Sequence, residues 1–136
     1  NKEVEETGTY TTKSYINLDT ATVKTALEAS SMEAVVIGEG TKIIKQYPKE
    51  NTKINAHNKI FLLTNDTNYK MINIKGWSRN DVSTFARMIN LDVSFDGYGY
   101  VKAYSIKKGT LLDKSSKLDV TLEPVFKEET KKDNQN

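Results

Sequence analysis

The stretch that decides the fold is Lys42–Thr64, KIIKQYPKENTKINAHNKIFLLT, because the chain writes it again, altered, as Tyr100–Leu122, YVKAYSIKKGTLLDKSSKLDVTL. Thr52 falls on Thr110, Lys59 on Lys117 and Leu62 on Val120, each 58 positions on. Ile43 meets Val101, Ile54 meets Leu112 and Ile60 meets Leu118 at the same offset. Apolar residues meet apolar ones, and loop residues meet loop residues. A fixed internal period marks a duplicated unit and takes precedence over any element-by-element reading.

The residues upstream of each copy repeat as well. Asp19 can cap a helix by accepting from an unpaired backbone N–H. Val23, Ala26, Leu27 and Ser30 then follow at i, i+3, i+4, i+7, the spacing of one helical face. In the second copy Ser78 is the cap, with Asp81 three residues on, and Val82, Phe85, Ala86 and Ile89 form the face. The helices are related by 59 positions rather than 58, so helix and sheet differ by one residue between copies.

Short strands are expected at Ser14–Leu18, Ala34–Ile37, Ile43–Tyr47 and Lys59–Thr64, and again at Leu91–Phe95, Val101–Ile106 and Lys117–Leu122. Gly38 and Gly40, then Gly97 and Gly99, mark turns. Polar loops hold Asn51-Thr52 and Gly109-Thr110. The fold class is α+β: two small tandem units, residues 13–65 and 66–123, each one helix packed on a small β-sheet. Residues 1–12 read as a polar linker and residues 124–136, charged and without periodicity, as a disordered C-terminal tail.

One helix covers one face of a sheet, which leaves the other. In the second copy Leu118, Val120 and Leu122 point one way while Asp119 and Thr121 point to solvent. The matching outward pair in the first copy is Phe61 and Leu63. An apolar pair there is costly unless covered. Phe61 and Leu63 are therefore read as an interface, against the second unit or a neighbouring domain; partial exposure of both is the plainer alternative.

Composition narrows the chemistry. The 136 residues include no cysteine, which excludes disulfides and thiolate zinc sites. The longest wholly apolar runs, Ala34–Ile37 and Ile60–Leu63, are too short to span a bilayer, and no signal-peptide pattern appears; a membrane anchor, if used, is expected outside this stretch. A net charge of +2 does not point to nucleic acid. The second copy is the more basic, which suits a polyanionic surface and equally an ordinary solvated one. The single histidine, His57, sits in a polar loop and cannot supply a histidine metal cluster. Ser105-Ile-Lys-Lys108 matches S-x-x-K, the motif of penicillin-reacting enzymes, and Ser78-Arg-Asn80 mimics S-x-N. An acylating serine needs its lysine one helical turn away. Ser105 lies in a strand reading, which puts Lys108 about 10 Å along. No catalytic residue, metal or cofactor is expected.

Gln46-Tyr47-Pro48-Lys49 leading to Asn51-Thr52, and Asn73-Ile-Lys-Gly76-Trp77-Ser78 before a helix, resemble the PASTA family, the module associated with penicillin-binding proteins and serine/threonine kinases. The resemblance covers Tyr15 to Leu122 in two copies. It is nearest to the C-terminal PASTA pair of division-specific class B penicillin-binding proteins of staphylococci. The first copy lacks the helix-opening Gly and has Asn51 for the loop Gly; the second has Tyr104 for Gln and Ile106 for Pro. The resemblance implies a non-catalytic module on the extracytoplasmic face of the membrane, at the division septum. Its implied partners are the transpeptidase domain of the same chain, peptidoglycan or muropeptides, and other divisome proteins; some family members are thought to bind β-lactams. The alternative it implies is the muropeptide-sensing outer region of a membrane serine/threonine kinase.

A wall-binding role calls for aromatic platforms beside cationic donors. Trp77, Arg79, Tyr98, Tyr100 and Lys102 are the candidates. Trp77 can equally pack at the helix start. Tyr98 and Tyr100 flank Gly99 at a turn, where rings either stack on a ligand or close the core. Arg79 opposes the helix dipole, which an anionic partner or plain solvent exposure explains.

Overall fold

The computed structural model of the chain describes residues 8–124. The expected tail from residue 125 on, and residues 1–7 of the expected linker, lie outside the described residues. The chain divides into two compact units, Asn1–Tyr69 and Lys70–Asn136. The sequence places the division after residue 65. The Tyr69 hydroxyl donates to the Thr64 carbonyl at 2.8 Å and so returns the intervening residues to the first unit.

In the first unit β1 (Thr9–Thr11) precedes α1 (Thr20–Ala29), followed by β2 (Glu33–Ile37), β3 (Ile43–Tyr47), β4 (Lys53–Asn55) and β5 (Lys59–Thr64). The second unit holds α2 (Arg79–Met88), β6 (Asp92–Gly97), β7 (Tyr100–Tyr104) and β8 (Lys117–Glu123). Each main sheet has three strands with the last in the middle: β2-β5-β3 and β6-β8-β7. The first and last strands of each sheet pair parallel, the middle and last antiparallel. Both antiparallel ladders slip at the same place, between Ile43 and Lys45 and between Val101 and Ala103. A slip of this kind leaves one residue unpaired and bends the strand.

The helices start and stop by matched devices. The Asp19 carboxylate accepts from the Thr22 N–H (3.0 Å), and the Ser78 hydroxyl accepts from the Asp81 N–H (3.1 Å). At the other end Ser31 and Asn90 take left-handed backbone at φ 65° and 57°. Met32 then donates to the Leu27 carbonyl and Leu91 to that of Ala86, which satisfies a carbonyl the helix cannot. Met32 and Leu27, like Leu91 and Ala86, are buried, so the stop also seals the core.

The first core gathers Val23 and Leu27 of α1 with Met32, Ile43, Ile60 and Leu62, under Tyr10 and Tyr15. Ala26, expected on the buried face, is exposed; Thr20, Val23, Leu27 and Ser30 are the buried positions around it. In the second unit Val82, Phe85, Ala86, Val101, Leu118, Val120 and Leu122 are buried, and Ile89 is half-buried.

Three strand assignments change. Thr9–Thr11, read as linker, and Lys53–Asn55, read as part of a polar loop, are strands paired with each other, with Tyr10 buried. Ser14–Leu18, read as a strand, is a loop. It cannot join a ladder because Gln46 already holds it: the side-chain amide accepts from the Tyr15 N–H (2.7 Å) and donates to the Lys13 carbonyl (2.8 Å).

Candidate functional site

The candidate residues of the second unit are set by the junction of loop, helix and β7. Gly76 donates to the Val101 carbonyl and Val101 to the Trp77 carbonyl, each at 2.9 Å. Ser78, capping α2, pairs with Tyr100, and Tyr100 pairs on its other side with Glu123 of β8. The helix N-terminus, the β6–β7 turn and the end of β8 are thus tied through Tyr100.

The five predicted residues fall into different settings. Trp77 is only 8% exposed, its ring edge-on to Phe85 with centroids 6.4 Å apart. Such a pair adds about 0.5–1.5 kcal/mol beyond the area it buries. The Arg79 guanidinium lies 4.4 Å over the ring of Phe95. At an exposed site that contact is worth about 0.5–1 kcal/mol. Tyr98, on the turn, is 73% exposed and Tyr100 44%. The Lys102 ammonium stands 3.6 Å from the Glu123 carboxylate on the surface, where a pair contributes little. The exposed part of this set is therefore two tyrosine rings with Arg79 and Lys102, and Trp77 lies beneath the surface.

Phe61 and Leu63 of the first unit are 2% and 4% exposed. Their ladder neighbours on β2, Val35 and Ile37, are buried with them. These four side chains lie on the sheet face opposite the one that joins the helical core.

Sequence reasoning missed the residues that shape the loops. Asn17 and Asn51 have φ of 70° and 64°, and occupy the places of Gly76 (82°) and Gly109 (91°). Their N–H groups donate to Ile43 and Thr12 as those of Gly76 and Gly109 donate to Val101 and Met71. Asparagine tolerates left-handed backbone better than most residues with a side chain. The two asparagines in the first copy therefore keep the backbone that the second copy makes with glycine. Tyr104, where the first copy has Gln46, donates to the Asn73 side-chain oxygen at 3.2 Å, a weaker hold on the same loop.

Among the described residues no group of three His, Cys, Asp or Glu is placed to hold a metal ion, and no helix is long and apolar enough to cross a membrane.

Residues 10–66 match the family model of the PASTA domain. Among solved structures the chain is similar to penicillin-binding protein 2X from Streptococcus thermophilus, at 26% identity and a TM-score of 0.76, over 85% of this chain and 17% of that one. It also matches the three-PASTA-domain region of a Ser/Thr kinase from Staphylococcus aureus, at 13% identity, TM-score 0.36, over 93% of this chain and 78% of that one. The entire extracellular region of the Ser/Thr kinase PrkC from Staphylococcus aureus matches at 10% identity, TM-score 0.34, over 91% and 55%. The chain spans about a sixth of the penicillin-binding protein it matches. The first unit thus matches the PASTA domain, and the second repeats that unit's helix, its strand order and its bulge.

Proposed function

We propose that this tandem is a non-catalytic module of a penicillin-binding protein, a peptidoglycan D,D-transpeptidase, and that it positions the enzyme for septal wall synthesis during cell division. The observation that supports this reading most is the likeness to penicillin-binding protein 2X, which runs through 85% of this chain at 26% identity. In this reading the module works on the extracytoplasmic face of the membrane, beside a transpeptidase domain of the same protein and among other division proteins. Tyr98 and Tyr100 offer ring faces to glycan or stem peptide, and Arg79 and Lys102 offer cationic donors beside them. Trp77 supports that surface from below. Phe61 and Leu63 act as an apolar interface rather than as ligand contacts.

The test is localisation. An exported fluorescent fusion of the 136-residue chain is expected to concentrate at the septum of dividing cocci. Uniform label around the envelope would overturn the positioning role. Muropeptide titration reports the wall contact separately: shifts are expected at the amides of Tyr98, Tyr100 and Lys102, and silence there would remove it.

A further inference from the structure

Aligned at the offsets that relate the copies, the two units differ in charge along one edge. Lys75, Lys102, Lys107 and Lys108 of the second unit stand where the first has Ile16, Ile44, Lys49 and Glu50. These positions carry four positive charges in one copy and no net charge in the other. All four lysines are exposed. Hydrogen bonds bring them onto one line, the β7 side of the second sheet. Gly76, next to Lys75, donates to the Val101 carbonyl, next to Lys102. Further along the same loop the Asn73 side chain accepts from the Tyr104 hydroxyl. Met71 then exchanges bonds with Gly109 and Thr110, next to Lys108. Lys107 is five positions on from Lys102, so their Cα atoms lie at most about 18 Å apart.

The charges on this line are available. Among the described residues the side chains of Lys75, Lys107 and Lys108 make no hydrogen bond or ion pair. Lys102 stands 3.6 Å from the Glu123 carboxylate, an exposed pair that solvent screens. Asp113, on the loop that follows, is turned back on its own chain, where it accepts from the N–H and the hydroxyl of Ser115. The surface beside the lysines is open as well. A side chain begun at Gly76 or at Gly109 would meet nothing within 4 Å, and the first unit has asparagines at both places.

The cations follow an edge instead of spreading over a face, which is the footprint of a chain rather than of a membrane plane. The exposed sheet face beside them carries Asp96 and Asp119, which oppose a broad anionic surface. An extended peptide finds no free strand edge here, because the loop from Met71 to Trp77 already takes the backbone of Val101. Nucleic acid asks for rings on which bases stack. The ring between Lys102 and Lys108, Tyr104, is half-buried with its hydroxyl on Asn73. Lysine is a point charge without a fork that fits one anion, so the line reads repeated charge. We infer that this edge binds a linear, acyclic polymer of phosphodiester-linked polyol units. The inference rests on the reading above only for where such a polymer is met, outside the membrane. Its test uses the purified chain, so its failure leaves the localisation result untouched.

The experiment is an amide-shift titration of the full chain with short poly(glycerol phosphate). Saturable shifts are expected at Lys75, Gly76, Lys107, Lys108 and Gly109, and the affinity is expected to fall steeply with added salt as counterions are released. Glycerol phosphate at the same phosphate concentration is expected to leave these amides unshifted. Replacing Lys107→Gln and Lys108→Gln together is expected to weaken binding and to lower the salt slope by about one for each lysine removed. Lys49→Gln, at the matching place in the first unit, is expected to change neither. Absence of shifts at these amides, or an unchanged affinity in the double variant, would overturn the site. Equal binding of the monomer, of phosphatidylglycerol vesicles, of oligothymidylate or of polyglutamate would overturn the polymer assigned to it.

Discussion

Strands β5 and β8 hold the same place in the two units, in the middle of the sheet, parallel to one neighbour and antiparallel to the other. Yet β5 is buried on both faces from Ile60 to Thr64, whereas β8 alternates, with Leu118, Val120 and Leu122 buried and Asp119 and Thr121 exposed. A strand covered on both faces reads as a continuous apolar run, and one covered on a single face alternates. Topology, register and bulge are identical in kind, so they are carried by the inner positions and the loops. The outer face is where the copies were free to diverge. Phe61 faces Asp119 across the duplication, and Leu63 faces Thr121.

Exchanging these residues tests the contrast most severely. Phe61→Asp buries a charge with no partner and is expected to destabilise the first unit by about 4 kcal/mol or more. The reciprocal Asp119→Phe loses a hydrogen bond that the Ser94 hydroxyl donates to it at 2.7 Å on the surface. That change is expected to cost no more than about 1.5 kcal/mol. Urea titration followed by amide signals of each unit separates the two, and similar losses in both would break the comparison.

The helix faces offer the next contrast. Phe85→Ala removes a wholly buried ring and is expected to cost the second unit about 3–5 kcal/mol. Its counterpart Ala26→Phe adds a ring in the hollow that Ala26 lines with the exposed Leu18, and is expected to raise the unfolding temperature of the first unit. A fall on adding that ring would show that α1 has no room above Leu27.

A smaller effect separates the loops. Gly76 has φ 82° with open space where a side chain would begin, so Gly76→Ala is charged only the backbone strain, about 1–2 kcal/mol. Asn17→Gly at the matching position is expected to change stability by no more than about 1 kcal/mol, since glycine enters left-handed backbone freely. Thermal unfolding of both variants measures the difference. If Gly76→Ala is harmless, the left-handed turn is not what opens the second helix.

Much of this was written plainly in the chain. The 58-residue period, both helix caps and the exposed Asp119 and Thr121 follow from spacing alone; the order of strands in each sheet, with the last in the middle, does not. Thr9–Thr11 did not, because a three-residue strand is too short for alternation to show and here follows an acidic, polar run. Ser14–Leu18 alternates like a strand, yet Tyr15 turns inward because the Gln46 amide holds the loop from the far side of the fold. The aromatic and cationic candidates were legible as residue types, but not that Trp77 would sit under the surface on Phe85.

The finest contrast lies at the two helix starts. Val23 donates to the Asp19 carbonyl and Val82 to the Ser78 carbonyl, each at 3.1 Å, so the first turns match and differ in the capping group. The hydrogen bond from the Thr22 N–H, and then that from its hydroxyl, hold the Asp19 carboxyl below its ordinary value. A carboxyl whose folded-state pKa is depressed contributes stability that is complete above its unfolded value, near 4, and is lost as pH falls through the folded one. Ser78 does not titrate and its cap persists. Lowering the pH from 7 to 3 is therefore expected to reduce exchange protection at the Val23 amide more than at Val82, and Asp19→Ser should remove the difference. Parallel loss at both amides would mean that acid acts on the units through other carboxylates, and that the two caps, unlike in charge, are alike in effect.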